Sequence, residues 1–374
     1  MKTKYYRNFI FAVQFFIVIS CTEGRKNDFV ESINYNTTKN IDIKSIVKNI
    51  GFISLDIDSE NALFSYGNKF RFHENKIYVL DAITKKLLVF DENGKFEKKI
   101  GQFGQGPEEF IALNDFDIDS EGYIYIYDGA KKELLKYSAK NEFIRSLKLP
   151  FILENFATLP NGKFLFGLSD HNNGEAKDYQ VVLTDSLLRV EQTYIPYKTH
   201  FDPDVVFDSF FQKNGSQIIY YKAIDDVVYI FNQEGIFEKE LHLDFGDNTV
   251  PLQYRINLTD FLLKYAEGYQ YNCYSPIIIN NYVLGYIKDK GEGVSFIYDL
   301  DNSSIHKNRK IDLFDDVNYP HSYINDSTFF SVISETVYPD YLSDEKLSTE
   351  QKNHLDEGGT ILGLYTIQRK GTKN

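Results

Sequence analysis

A repeat limits what this chain can fold into, and its clearest joint is the short stretch from Ile100 to Phe110, which holds Gly101, Gly104, Gly106 and Pro107. On its N-terminal side Leu87-Leu88-Val89-Phe90-Asp91 and Phe96-Glu97-Lys98-Lys99 read as two short strands around an Asn93-Gly94 turn. On its C-terminal side Phe116-Asp117-Ile118-Asp119 and Tyr123-Ile124-Tyr125 repeat that grammar around Glu121-Gly122. Glycine supplies the positive φ that such joints need, and proline a fixed one.

The same unit recurs along the chain. Lys76–Asp81, Tyr123–Asp128, Lys163–Phe166, Gln217–Tyr221, Tyr282–Ile287 and Thr328–Val332 are apolar strands, each followed by a further strand. Six units of four strands, at a period of roughly 40 to 50 residues, predict an all-β, six-bladed β-propeller. The sixth unit lacks its outer strand. The orphan segment around Ile50–Asp56, ahead of the first unit, is expected to join the last blade and close the ring, which removes an exposed edge. With 31 Phe and 28 Tyr the composition favours strands throughout.

The ends carry a different signal. Lys2, Lys4 and Arg7 precede an apolar run from Phe9 to Ile19, too short to span a bilayer, and the run ends in Val18-Ile19-Ser20-Cys21. This resembles a bacterial lipobox, which implies cleavage before Cys21 and acylation of its thiol. The expected division is a leader over 1–20, a polar tether over 21–39 and the propeller over 40–374. The net charge is −13, so nucleic-acid backbone is not expected as a partner, and membrane attachment is expected through the N-terminal lipid only. Cys273 is then left as a single thiol, read as a small buried hydrophobe.

The order Phe90-Asp91, Gly94, Phe96, Ile100-Gly101, Gly104, Gly106-Pro107, Glu109-Phe110, then Phe116, Ile118-Asp119, resembles the six-bladed β-propeller lipoproteins abundant in Bacteroidota, themselves similar to NHL-repeat propellers. The resemblance implies fold and an outer-membrane lipoprotein location, on the periplasmic or surface face. It implies no shared activity.

Strand order places short turns on one face and the long connections on the other, called upper here. The long ones include Gly101–Leu113, Asp170–Asp178, Lys198–Asp204, Gly246–Gly268 and Glu335–Gly359. Long loops on a rigid scaffold are where binding concentrates. Candidate binding residues are therefore Asp81, Lys85, Gln102, Gln105, Glu108, Asp128, Lys132, His171, His200, Tyr254, Arg255 and His321. Two insertions read as helical: one capped by Thr259, the other over Ser343–Leu355 with Leu347 and Leu355 as its apolar points.

Recognised chemistry is sparse. Asp117, Asp119, Glu121-Gly122 and Asp128 have calcium-loop spacing, but strands flank them on both sides, so a hairpin is the better reading. The histidines show no metal-ligand spacing, and no metal or cofactor is expected. The expected function is a binding or scaffolding module for a glycan, a peptide or an envelope protein. The alternative is a lyase or hydrolase working from the upper face, with or without a metal. An enzyme requires two titratable groups converging at the channel mouth; a binding module requires an exposed patch without them.

Overall fold

Each repeat unit folds as an antiparallel sheet, because its two middle strands are apolar on both sides and need cover on both. The computed structural model describes residues 30–169, 172, 174–197, 211–309, 320–335 and 347–368. Two strands precede the ring, β1 (Val30–Asn34) and β2 (Val47–Leu55). Blade 1 is β3 (Lys69–His73), β4 (Lys76–Asp81), β5 (Lys86–Asp91) and β6 (Phe96–Lys99). Blade 2 is β7 (Asp115–Ile118), β8 (Ile124–Asp128), β9 (Glu133–Tyr137) and β10 (Phe143–Lys148). Blade 3 is β11 (Leu153–Thr158), β12 (Phe164–Leu168), β13 (Tyr179–Thr184) and β14 (Val190–Pro196). Blade 4 is β15 (Gln212–Lys213), β16 (Gln217–Tyr221), β17 (Val227–Asn232) and β18 (Phe237–Asp244).

An insertion with α1 (Leu252–Arg255) and α2 (Leu258–Lys264) separates blades 4 and 5. In blade 5 the inner strand is split into β19 (Gln270–Asn272) and β20 (Ile277–Ile279), which share one edge of β21 (Tyr282–Asp289). The blade continues with β22 (Glu292–Asp299) and β23 (Ser304–Asn308). Blade 6 has β24 (Ser322–Asn325), β25 (Thr328–Ile333) and, after α3 (Thr349–Asp356), β26 (Thr360–Ile367). Its fourth and outermost strand is β2, antiparallel to β26 from Val47 opposite Ile367 to Leu55 opposite Thr360.

Alternation along β4 shows how the core is divided. Ile77 and Val79 pack toward blade 6 with Phe330 and Leu362, whereas Tyr78 and Leu80 pack toward blade 2 with Phe116 and Ile126. Side chains alternate faces along a strand, so every middle strand feeds two interblade layers. The layers between blades 2 and 3 and between 3 and 4 are built the same way, around Phe156 and Phe166 and around Tyr220 and Tyr229. Each fully buried aliphatic residue contributes about 1.5–3 kcal/mol.

The recurring Phe-Asp-x-x-Gly phrase has a local cause. Asp91 Oδ1 accepts the backbone N–H groups of Asn93 and Lys95, both at 2.9 Å. Asp185 and Asn232 do the same in blades 3 and 4, and Ser138 substitutes its hydroxyl in blade 2. These side chains satisfy turn donors that would otherwise lack partners. Gly94, at φ 84°, follows in the first such turn, and a Cβ there would sit 2.1 Å from the Ser54 carbonyl of β2. Only glycine lets blade 1 approach the ring-closing strand so closely.

The expected tether needs correction. Val30–Asn34 lie parallel to β18 as a fifth strand on blade 4, Val30 opposite Glu240 and Asn34 opposite Asp244. Ile33 and Tyr35 are buried, and Tyr35 packs edge-on against Phe245 and Phe296 between blades 4 and 5. Asn40 then bridges Ile305 on β23, and β2 edges blade 6. The N-terminal segment is thus a belt along the outer edges of three successive blades. The polar average of residues 22–39 hides the alternation that buries Ile33 and Tyr35.

Candidate functional site

The inner strands put charge at the centre of the ring. Lys69 and Arg71 stand two apart on β3, and Asp115 and Asp117 two apart on β7, so each pair shares a strand face and the two faces match. Lys69 Nζ reaches Asp115 Oδ1 at 2.6 Å, and Arg71 Nε reaches Asp117 Oδ1 at 3.3 Å. Lys213 on β15 brings a second cation to Asp117, at 2.6 Å from Oδ2. The carboxylates also accept from blade 3: Phe156 N donates to Asp115 Oδ2, and Thr158 N and Oγ1 donate to Asp117 Oδ2. Four blades are tied together here.

The protonation of these groups follows from burial and partners. Burial would raise the Asp117 carboxyl, but Lys213, Arg71 and Lys69 outweigh it and hold the group well below the usual range. Burial pulls the Lys69 ammonium down to about 8, against the pull of Asp115. His321, which immediately precedes β24, packs its ring edge-on to Phe70 and tilted against Phe330, with centroids 5.1 and 5.5 Å away. Burial first and Arg71 second lower that imidazole to about 4. Its backbone carbonyl accepts from Gln212 Nε2 at 3.2 Å. His321 thus ends the connection into β24 and is half-buried against Phe70 and Phe330, beside Arg71.

Asp81 and Asp128 are not recognition residues, for both are fully buried. Asp81 accepts the N–H groups of Ser65, Ile83 and Thr84 and the Thr84 hydroxyl. Asp128 accepts those of Ile111, Ala112, Ala130 and Lys131. Each carboxylate pins the turn after the second strand to the incoming interblade connection. Asp117, Asp119 and Asp128 consequently serve three separate places, the axis, a hairpin and a connection, and do not converge as a calcium loop would.

The glycine-rich connection is held by Glu109 and Lys131. Gly106 N donates to Glu109 Oε2 at 2.8 Å, and Lys131 Nζ donates to the carbonyls of Gly106 and Glu109, both at 2.7 Å. A Cβ on Gly104 would lie 2.0 Å from the same carboxylate, so a larger residue there would have to displace the Glu109 side chain. Gln102 touches Glu109 at 3.3 Å, Glu108 lends its carbonyl to the Tyr137 hydroxyl, and the Gln105 side chain is exposed. Lys85 and Lys132 occupy matching turn positions at φ 56° and 54°. Lys85 Nζ lies 4.2 Å above the Phe103 ring. His171, His200 and Cys21 fall outside the described residues.

Tyr254 and Arg255 belong to the insertion. Arg255 binds Asp226, reaches Asp225 at 3.5 Å and donates to the Val250 carbonyl, while Tyr254 stacks on Tyr265 with centroids 4.6 Å apart. Burial raises the Asp226 carboxyl to about 6 despite Arg255. The helix cap is Asn257, whose Oδ1 accepts Asp260 N at 2.9 Å, rather than Thr259. In α3 Ser348 caps through a capping box with Gln351, and Leu347 and Leu355 pack against Ile333 and Ile361.

Beside the exposed polar residues Gln102, Gln105, Glu108 and Lys132, the upper connections expose large apolar side chains. Leu63, Tyr66, Ile83 (65 % exposed) and Phe103 (54 %) belong to the segments that lead into and across blade 1. They are locally connected, since Lys86 Nζ donates to the Leu63 carbonyl and Ser65 N to Asp81. A hollow between β22, β23 and Pro320 lies elsewhere and offers about 10 Å³, the room of one water. Among the described residues no group of three or more His, Cys, Asp or Glu side chains is placed to hold a metal.

A family model for a domain of unknown function, DUF4934, matches residues 27–361. The chain belongs to the DUF4934 family. Its match begins at the belt, ahead of β1. The DUF4934 chain is also similar to a solved Bacteroides fragilis protein named for predicted export: 22% identity, 91% of this chain and 100% of that one, TM-score 0.73. A DUF4221 member from Bacteroides vulgatus shares 11% identity over 87% of this chain and 99% of that one, with a TM-score of 0.57. Both likenesses concern the fold.

Among curated proteins a thiol protease, SEN102 from Hemerocallis, is 30% identical over 117 residues, and the chain spans 31% of that protein's length. The chemistry of Cys273 does not fit that activity. It is buried, and burial pushes its thiol up to about 12, whereas a nucleophilic cysteine needs a lowered value.

Proposed function

We propose that this DUF4934 chain is a lipid-anchored propeller of the cell envelope that binds a glycan, a peptide or a partner protein through its upper face. The observation that carries the reading is the exposed set Leu63, Tyr66, Ile83 and Phe103, on connections that the buried Asp81 carboxylate holds in place. Exposed aromatic and aliphatic side chains on a rigid frame bind with little loss of conformational freedom. Catalysis has less support. The ionisable groups of the axis are engaged with one another and with backbone, and Arg255 and Asp226 fasten an insertion. Envelope location is supported by the exported relative and by the lipobox-like Val18–Cys21; among the described residues no helix is long and apolar enough to cross a membrane.

Arrays of envelope glycans and of envelope-protein peptides test the reading. A Phe103→Ser, Ile83→Ser double variant should lose about tenfold or more in affinity for any retained probe, about 1.4 kcal/mol, with unchanged thermal stability. Equal binding by the variant and the unmodified chain would move the site elsewhere. Turnover of a probe, rather than its retention, would replace the reading with the enzymatic one.

A further inference from the structure

The patch on blade 1 carries cations as well as apolar side chains. Lys85 and Lys86 stand side by side at the end of the turn that exposes Ile83. Lys85 Nζ lies 4.2 Å above the Phe103 ring, and Lys86 Nζ donates to the Leu63 carbonyl at 2.7 Å. Lys99, which ends β6, donates to Asn61 Oδ1 at 3.1 Å, just ahead of Leu63. The three lysines thus join the segments that expose Leu63, Ile83 and Phe103, and the partners they use to do so are all neutral. Lys85 also holds φ 56°, where glycine or asparagine would sit with less strain.

In a chain of net charge −13 lysines elsewhere find carboxylates, as Lys163 finds Glu191 at 2.6 Å and Lys239 finds Glu31 at 2.8 Å. Around the patch the carboxylates are engaged otherwise or stay apart. Asp81 is filled by backbone amides, and Glu109 takes Gly106 N. Among the described residues neither these nor the exposed Asp58, Glu60 and Glu108 form an ion pair with Lys85, Lys86 or Lys99. An ammonium keeps donors to spare after a single bond, so the patch presents cationic donors beside aliphatic and aromatic surface.

Those two chemistries select the ligand. Leu63 and Ile83 offer nothing to a sugar hydroxyl and gain only from apolar contact. The donors beside them complement carboxylates. We propose that the upper face binds a peptide segment of a partner protein that sets Asp or Glu beside large apolar side chains, its carboxylates on Lys85, Lys86 and Lys99 and its apolar groups on Leu63, Ile83 and Phe103. The inference rests on the upper-face reading given above and narrows it to one class of ligand.

The test is selection of a displayed library of random peptides on the full chain. Retained peptides should be enriched in Asp and Glu beside Leu, Ile or Phe, and depleted of Lys and Arg. Their affinity should fall about fivefold or more between about 0.05 and about 0.5 M salt. A Lys85→Gln, Lys86→Gln, Lys99→Gln triple variant should lose about tenfold, and Gln in place of the peptide's acids should cost as much but leave the two chains equal. Because Lys86 and Lys99 also fasten segments, thermal unfolding is followed alongside, and Lys85→Gln alone should lose about threefold. A Lys163→Gln control, which removes a lysine paired with Glu191, should bind as the unmodified chain does. Retained peptides of basic or uncharged composition, weakened by Phe103→Ser and Ile83→Ser but not by the lysine variants, overturn this inference and leave the upper-face reading standing. Acidic peptides indifferent to both sets of variants overturn both. Uronic-acid oligosaccharides that bind as tightly through the same lysines overturn it in favour of an acidic glycan, and a library from which nothing is retained overturns it as well.

Discussion

Two places in this ring hold carboxylates away from water, and they are built to opposite standards. At the axis Asp117 receives Lys213, Arg71, and the amide and hydroxyl of Thr158. At the insertion Asp226 receives Arg255, and its Oδ1 is a buried atom without a hydrogen-bond partner. The acid is the same and the outcomes diverge: the Asp117 carboxyl is held well below the usual range, and that of Asp226 is raised to about 6. A buried charge is tolerated when every lone pair has a donor, and resisted when one does not. The axis is thus a fixed junction of four blades, and the insertion is fastened at a carboxylate whose charge is only partly satisfied.

The largest effect should come from breaking the junction. Asp117→Ala leaves Arg71 and Lys213 facing each other without a counter-charge, and should cost about 3–5 kcal/mol in denaturant unfolding. A loss below about 1 kcal/mol would mean that water already screens the axis. Next in size is the half-buried histidine ahead of β24. The unfolded imidazole takes its proton near pH 6.5 and the folded one near 4, so the unfolded state binds more protons between those values. Stability therefore falls as pH drops through that window, by about 1–3 kcal/mol from His321 once its contact with solvent is allowed for. His321→Phe should remove this slope while keeping the ring contacts with Phe70 and Phe330.

The smallest effect sharpens the contrast, because its sign is reversed. The folded state holds the Asp226 proton more tightly than the unfolded one, which titrates near 3.8. This residue's contribution to stability thus rises as pH falls from about 6 toward 4. Unmodified protein minus Asp226→Asn should gain about 1–2 kcal/mol across that range, after allowance for the part of the side chain that meets water. A difference of the opposite sign would show that the Arg255 contact dominates the site.

The blades were legible in the sequence because their middle strands are buried on both faces, so β4, β8 and β17 read as unbroken apolar runs. The joint at Gly101–Phe110 was legible for a related reason: Gly101 takes a positive φ of 66°, and a Cβ there would meet the Phe110 ring and the Tyr137 hydroxyl at 2.9 Å. The polar residues misled. Asp81 and Asp128 stand at loop starts, where exposure is the ordinary expectation, yet their oxygens are spent on backbone amides. A linear sequence does not distinguish an aspartate that meets water from one that meets a turn. The axial pairs did leave a trace. Lys69-x-Arg71 and Asp115-x-Asp117 place opposite charges at the same step of successive repeats, inside strands otherwise filled by Phe and Ile.

The belt also sets an order of events. Strands β1 and β2 are made early, but the partner of β1, residues 240–244, comes only with blade 4, and that of β2, residues 360–367, only with the last strand described. The growing chain must therefore carry β1 unpaired until blade 4 is made, and β2 unpaired until β26 is made. Pairings so distant in sequence are slow to form and exposed to misassembly while they wait. Closure of the ring then comes last, and loss of β26 alone would leave the first strand of the sixth sheet without a partner at the other end of the chain.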